Sequence, residues 1–133
     1  MWGDGRSTVT VYVHPARYTS EFLKENEEFT VSFLPKSQKR ALAYMGIHSG
    51  RTENKAEAAG LTPVAVRNSV TYEEAELTFV CRKLYQHQFT KEDIVSDVQA
   101  YYASGAAVYP DGEGGWQPHI IFIGEILDVI DKR

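Results

Sequence analysis

Apolar and polar residues alternate most cleanly from Glu28 to Leu34, where Phe29, Val31 and Phe33 face one way and Thr30 and Ser32 the other. A period of two is that of a half-buried strand, and Pro35 stops it. Ser7 to Val13 is β-branched and aromatic throughout and predicts a buried strand ended by His14-Pro15. Leu77 to Tyr85 predicts a third strand, with a mostly apolar first half. Pro118 to Ile130 predicts a long final one, in which Gly124 marks a bulge or bend. Leu61 to Val66 leads back toward a sheet, Arg67-Asn68-Ser69 turns, and Val70 to Tyr72 is extended. Helical spacing is shorter and rarer. Thr19 or Ser20 can cap a short helix with Glu21 in its first turn. Ser37 to Met45 places Ala41, Leu42 and Met45 on one helical face. Asn54 to Ala59 predicts a brief helix ending at Gly60, a favourable C-terminal cap. Thr90 is placed to cap a loop or helical turn. Asp97 to Gly115 is small, polar and rich in Tyr and Gly, and is expected to be an excursion outside the core.

The strands do not alternate regularly with helices. A mainly β fold follows, a closed or nearly closed antiparallel barrel with peripheral helices. The 133 residues suffice for one domain with a real core, and residues 1–133 are read as that domain. No repeat or linker interrupts it.

Charge and cysteine content narrow the function classes. The net charge of −4, without a basic run, argues against nucleic acid as a partner. The first residues lack a basic region followed by an apolar one, and no apolar run is long enough for a bilayer, so a cytoplasmic protein is expected. One cysteine, Cys81, excludes an internal disulfide and any Cys-only metal site. Its apolar strand suits inert core better than a nucleophile. His14, His48, His87 and His119 lack close ligand spacing, so no metal is expected. Gly112-Glu113-Gly114-Gly115 has neither the spacing nor the strand-to-helix context of a dinucleotide fingerprint.

Two turns carry the candidate chemistry. His48-Ser49-Gly50-Arg51-Thr52-Glu53-Asn54-Lys55 joins two helical segments and gathers a glycine, hydroxyls and two cations. Gly50 permits close backbone approach. Ser49 and Thr52 offer hydroxyls, and Arg51 and Lys55 fixed positive charge. That set suits a phosphate; on spacing alone it also suits a solvated interhelical turn. The Arg17-Tyr18-Thr19 corner lies between a strand and a helix start, where free N–H groups favour anions. Arg17 can pair bidentately with phosphate oxygens. A capped helix beside an exposed arginine accounts for the same residues.

Four segments taken in order resemble one family: Tyr12 to Thr19 with Glu21-Phe22; His48 to Arg51 with Lys55; Val80 to Tyr85; and His119 with Ile123-Gly124-Glu125-Ile126. Together they are similar to the flavin reductase-like, FMN-binding split-barrel family, its flavoredoxin branch in particular. The likeness covers nearly the whole chain. It implies an antiparallel, Greek-key split β-barrel, a homodimer, one FMN per subunit, and hydride transfer from NADH or NADPH to flavin. Electron carriage by bound flavin, without a fast nicotinamide reaction, is the alternative. By resemblance, Arg17 and Thr19 meet the FMN phosphate and ribityl chain, and Ser49, Gly50, Arg51 and Lys55 form the other side of the cradle. His119 is expected near the flavin edge or the nicotinamide pocket. His14 and His48 suit flavin contacts and turn roles equally, and His87 suits the surface. Asn54 stands where the family often has aspartate, and Pro118 where it often has an acidic residue. Met1-Trp2-Gly3 resembles residues inside the family pattern, so a shortened N-terminus is expected. A shortened structural or dimerisation copy without flavin is the third reading.

Overall fold

The computed structural model describes residues 3–47, 55–104 and 116–133. In chain order these form β1 (Thr8–Val13), α1 (Tyr18–Glu25), β2 (Glu28–Phe33), α2 (Lys39–Ile47), α3 (Lys55–Ala58), β3 (Pro63–Val66), β4 (Ser69–Tyr72), β5 (Leu77–Gln88), α4 (Ser96–Ala103) and β6 (Ile120–Asp131). Four strands make one antiparallel sheet in the order β1-β6-β5-β2, and β3 pairs with β4 in a second. The four-stranded sheet curls into a half-barrel. Hydroxyls tie the small sheet to it: Thr71 on β4 lies 2.8 Å from Ser32 on β2 and 2.8 Å from Thr78 on β5. The whole is mostly β with few helices, as the alternating segments predict.

The alternation on β2 turns Phe29 into the core, 4% exposed, beside Leu23, Cys81, Ile120 and Phe122. Cys81 is fully buried, and burial pushes its thiol up to about 11, which makes it a poor nucleophile. A second cluster gathers Ala41, Ala56 and Leu61 under α2 and α3. The end of α3 follows from Gly60, whose φ of +79° suits glycine. There Leu61 N–H donates to Ala56 O and Gly60 N–H to Glu57 O, which satisfies the last carbonyls.

Two expectations about burial are corrected. β1 is not a buried strand: Val9, Val11 and Val13 pack on the core, but Tyr12 is 60% exposed. Among the described residues it pairs with β6 alone. Leu42 does not join Ala41 in the core, because α2 leaves it facing an open trough, 46% exposed.

Three local expectations also change. The helix after β1 begins at Tyr18, so Thr19 and Ser20 lie inside α1 and do not cap it. Ser20 Oγ instead donates back to Pro15 O or Arg17 O. Thr90 does precede a 3-10 turn, Lys91–Asp93, but its side chain makes no capping bond. Part of the expected excursion is helical. α4 buries none of its residues, which is why no apolar periodicity announces it.

Pairing between β5 and β6 shifts twice, between Val80 and Cys81 and between Lys83 and Tyr85. Gly124 sits opposite Lys83, next to the second shift. The irregularity expected at Gly124 is therefore carried across the ladder by β5. Lys83 uses this bend to reach α1, where Nζ donates to Leu23 O at 2.7 Å and Lys24 O at 3.1 Å. A cation at a helix C-terminus satisfies its orphan carbonyls. Among the described residues no helix is long and apolar enough to cross a membrane.

Candidate functional site

The corner after β1 is built by its own backbone. His14 is buried, and its Nδ1 accepts from Ala16 N–H at 3.0 Å, while Arg17 N–H donates to His14 O at 3.0 Å. Accepting at Nδ1 fixes the neutral ring as the Nε2–H tautomer. His14 thus has the turn role. The tight turn sets Arg17 at the N-cap of α1 in extended conformation, with no side-chain cap bond of its own. Its guanidinium is left to reach across the molecule.

It reaches the end of α2. Arg17 Nη2 donates to Gly46 O. Lys55, at the start of α3, donates from Nζ to Met45 O at 3.1 Å. Two cations from segments almost forty residues apart therefore meet on adjacent carbonyls. A helix C-terminus carries partial negative charge, which favours both. The two carbonyls hold both cationic heads at the end of α2. Their proximity is electrostatically costly. Burial first, and then the charge of Arg17, hold the Lys55 ammonium below the usual lysine range. An anion of charge near −2 between them would relieve that repulsion.

Thr19, in the first turn of α1, is exposed and borders two spaces. One is a polar pocket of about 280 Å³ lined by Tyr12, Val13, His14, Arg17, Thr19 and His119. The His14 and His119 rings meet edge to face in it at 5.3 Å. The other is a trough of about 650 Å³ along the half-barrel, bordered by Val11, Phe22, Val31, Leu42 and Met45 among others. An amphipathic ligand with an anionic end and a flat apolar end matches these paired spaces.

Of the residues expected to bind, Arg17, Thr19 and Lys55 are brought to one side of the fold. Ser49, Gly50 and Arg51, with His48 and Asn54, lie outside the described residues. His119 lies in the polar pocket with Arg17, while His87 is on the exposed end of β5. Sequence reasoning missed the Met45 and Gly46 carbonyls as anchors, because a backbone acceptor leaves no mark in residue type. Among the described residues no group of three or more His, Cys, Asp or Glu could hold a metal ion.

The family model described as "Flavin reductase like domain" matches residues 7–133. None of the curated proteins matches the chain in sequence. Solved structures do match. Flavoredoxin of Desulfovibrio vulgaris (Miyazaki F) is similar at 25% identity and a TM-score of 0.65, over 93% of this chain and 52% of that one. An FMN-binding protein from Thermus thermophilus is similar at 22% identity and a TM-score of 0.67, over 94% and 54%. The NADH:FAD oxidoreductase SgcE6 of Streptomyces globisporus is similar at 15% identity and 0.63, over 95% and 59%. The chain thus spans about half the length of the solved structures it matches.

Proposed function

We propose, from the premise that the chain belongs to the flavin reductase like domain family, that it binds FMN and passes hydride from NADH or NADPH to it. The observation that carries this reading is the meeting of Arg17 and Lys55 at the end of α2. Two oriented cations suit the dianionic phosphate of FMN, and the Thr19 hydroxyl beside them can donate to one of its oxygens. Ser49, Gly50 and Arg51, which lie outside the described residues, belong to this reading by family resemblance alone. The residues described therefore fit the cofactor's anionic end. When bound, the flavin supplies the hydride-accepting ring. The chain's own residues have simpler tasks. Arg17 and Lys55 fix the tail, the trough walls flank the ring, and His119 borders the space beside it. A homodimer forms part of the same reading.

Similarity to a flavoredoxin favours one second reading, a carrier that holds FMN but reacts slowly with nicotinamide. Titration with FMN and with riboflavin tests the site, because riboflavin lacks the phosphate. FMN is expected to bind at least about 100-fold tighter, in line with two charge-assisted hydrogen bonds. Equal affinities would remove the phosphate cradle. Stopped-flow bleaching of the bound flavin by NADH or NADPH then separates reductase from carrier. A fast phase with either nucleotide supports the reductase, and none within seconds supports the carrier.

A further inference from the structure

Described residues between β5 and β6 border a third space that the phosphate site does not use. Tyr12, Phe89, Ile94, Val98, Tyr102 and Trp116 border it, with Pro118 and His119, around a volume of about 250 Å³. Its walls are unusually aromatic. Tyr12 stacks with Phe89 at 5.8 Å between ring centroids, and Tyr102 with Trp116 at 5.3 Å and 21°. Trp116 is buried, 8% exposed, whereas Tyr12 and Phe89 leave much of their rings open. Lys91 lies just behind this lining, with Nζ 4.7 Å from the centre of a Trp116 ring. Tyr12 and His119 also border the polar pocket that holds Arg17. The aromatic space therefore lies across those two side chains from the phosphate cradle.

We propose that this aromatic pocket binds a small aromatic carboxylate, its ring among the Tyr12, Phe89, Tyr102 and Trp116 side chains and its carboxylate paired with Lys91. The volume lies below the roughly 300–1,000 Å³ of pockets for drug-sized ligands, which limits the ligand to about one substituted ring. Flat π-faces select a planar ring over an aliphatic one. The Lys91 ammonium selects an anion over a neutral isostere. In the setting of the proposed FMN site the ligand lies next to the flavin pocket, as an acceptor or effector would. The placement beside flavin rests on that reading, whereas the binding itself does not.

The test uses the whole chain with Trp2→Phe, which leaves Trp116 as the only tryptophan. Its fluorescence is titrated with benzoate, benzamide and cyclohexanecarboxylate, first without flavin and then with FMN present. Saturable quenching by benzoate, at least tenfold tighter than by either control, is the expected result. Lys91→Met should weaken benzoate about tenfold and leave benzamide unchanged, with the far-ultraviolet circular dichroism intact. No saturable response to benzoate overturns the proposal, as does equal binding of benzamide or indifference to Lys91→Met. Because the first titration lacks flavin, failure of FMN to bind leaves this result standing, and the converse also holds.

Discussion

Arg17→Glu combined with Lys55→Glu is expected to abolish FMN binding while leaving the fold in place. Each cation is expected to give the phosphate a charge-assisted hydrogen bond worth about 1.5–3 kcal/mol, so losing both weakens binding by about 3–6 kcal/mol. That corresponds to roughly 100- to 10,000-fold in Kd, before any repulsion from the new carboxylates. Fluorescence quenching of FMN on binding measures it directly. Neither side chain belongs to either core cluster, so the fold should persist, but loss of both bonds to the α2 carbonyls should lower the urea midpoint; far-ultraviolet circular dichroism confirms that the variant is folded. Parent-like FMN affinity in a folded double variant would dismiss the site. A pH series gives an independent reading. Lys55 has a folded-state pKa below the lysine range, and a bound anion should raise it. Affinity is therefore full below the free-state pKa and falls as pH rises through it. It also falls below about pH 6, where the phosphate gains its second proton. Lys55→Arg should remove the alkaline fall and keep the acidic one, because guanidinium stays charged.

Much of this was legible in the chain, and the reasons differ by element. Strand β2 announces itself because one face is buried, and burial imposes the period of two, whereas β5 and β6 show as apolar, strand-forming runs. The same logic fails at β1, where valines on one face and Tyr12 on the other are all strand formers. Residue type alone could not tell an outward tyrosine from a core one. α4 escaped because a helix that buries nothing needs no apolar stripe. Arg17, Thr19 and Lys55 stood out by chemistry, since cations and hydroxyls beside helix termini suit anions. What brings Arg17 and Lys55 together did not, because the shared anchor is a pair of backbone carbonyls. Lys83 shows the same limit, as its acceptors lie about sixty residues earlier in the chain. The aromatic pocket was hidden differently: Tyr12, Phe89 and Trp116 come from three segments, and only the β1-β6-β5 order brings those segments together.

Gly124→Ala is expected to destabilise the fold by about 1–3 kcal/mol, the usual cost of overpacking a close-packed core. Gly124→Val should cost more. The cause is contact, not backbone conformation. A Cβ at Gly124 would stand 2.6 Å from Phe29 Cζ, 2.8 Å from Phe29 Cε1 and 3.0 Å from Cys81 Cβ. None of these neighbours can retreat into solvent, because Phe29 is 4% exposed and Cys81 is fully buried. Alanine is otherwise favoured over glycine in a strand by roughly 0.5–1 kcal/mol, so a net loss means that the clash outweighs the gain. The measurement is the urea midpoint, which should fall by about 1 M for a slope near 1–3 kcal/mol per molar. Phe29→Leu provides the control, since a shorter side chain vacates the space a methyl group needs. Alone it should destabilise, but with Gly124→Ala it should cost less than the sum of the two. A coupling of about 1 kcal/mol or more, of rescuing sign, locates the clash at this pair. Strict additivity would mean that the alanine is accommodated elsewhere, and that β6 bends for a reason other than the Phe29 ring. The contact also matters for the site, because Phe29 and Val31 lie on β2 and border the trough. A glycine on β6 thus lets β2 close against the sheet, and a side chain there would move the wall proposed to cover the flavin ring.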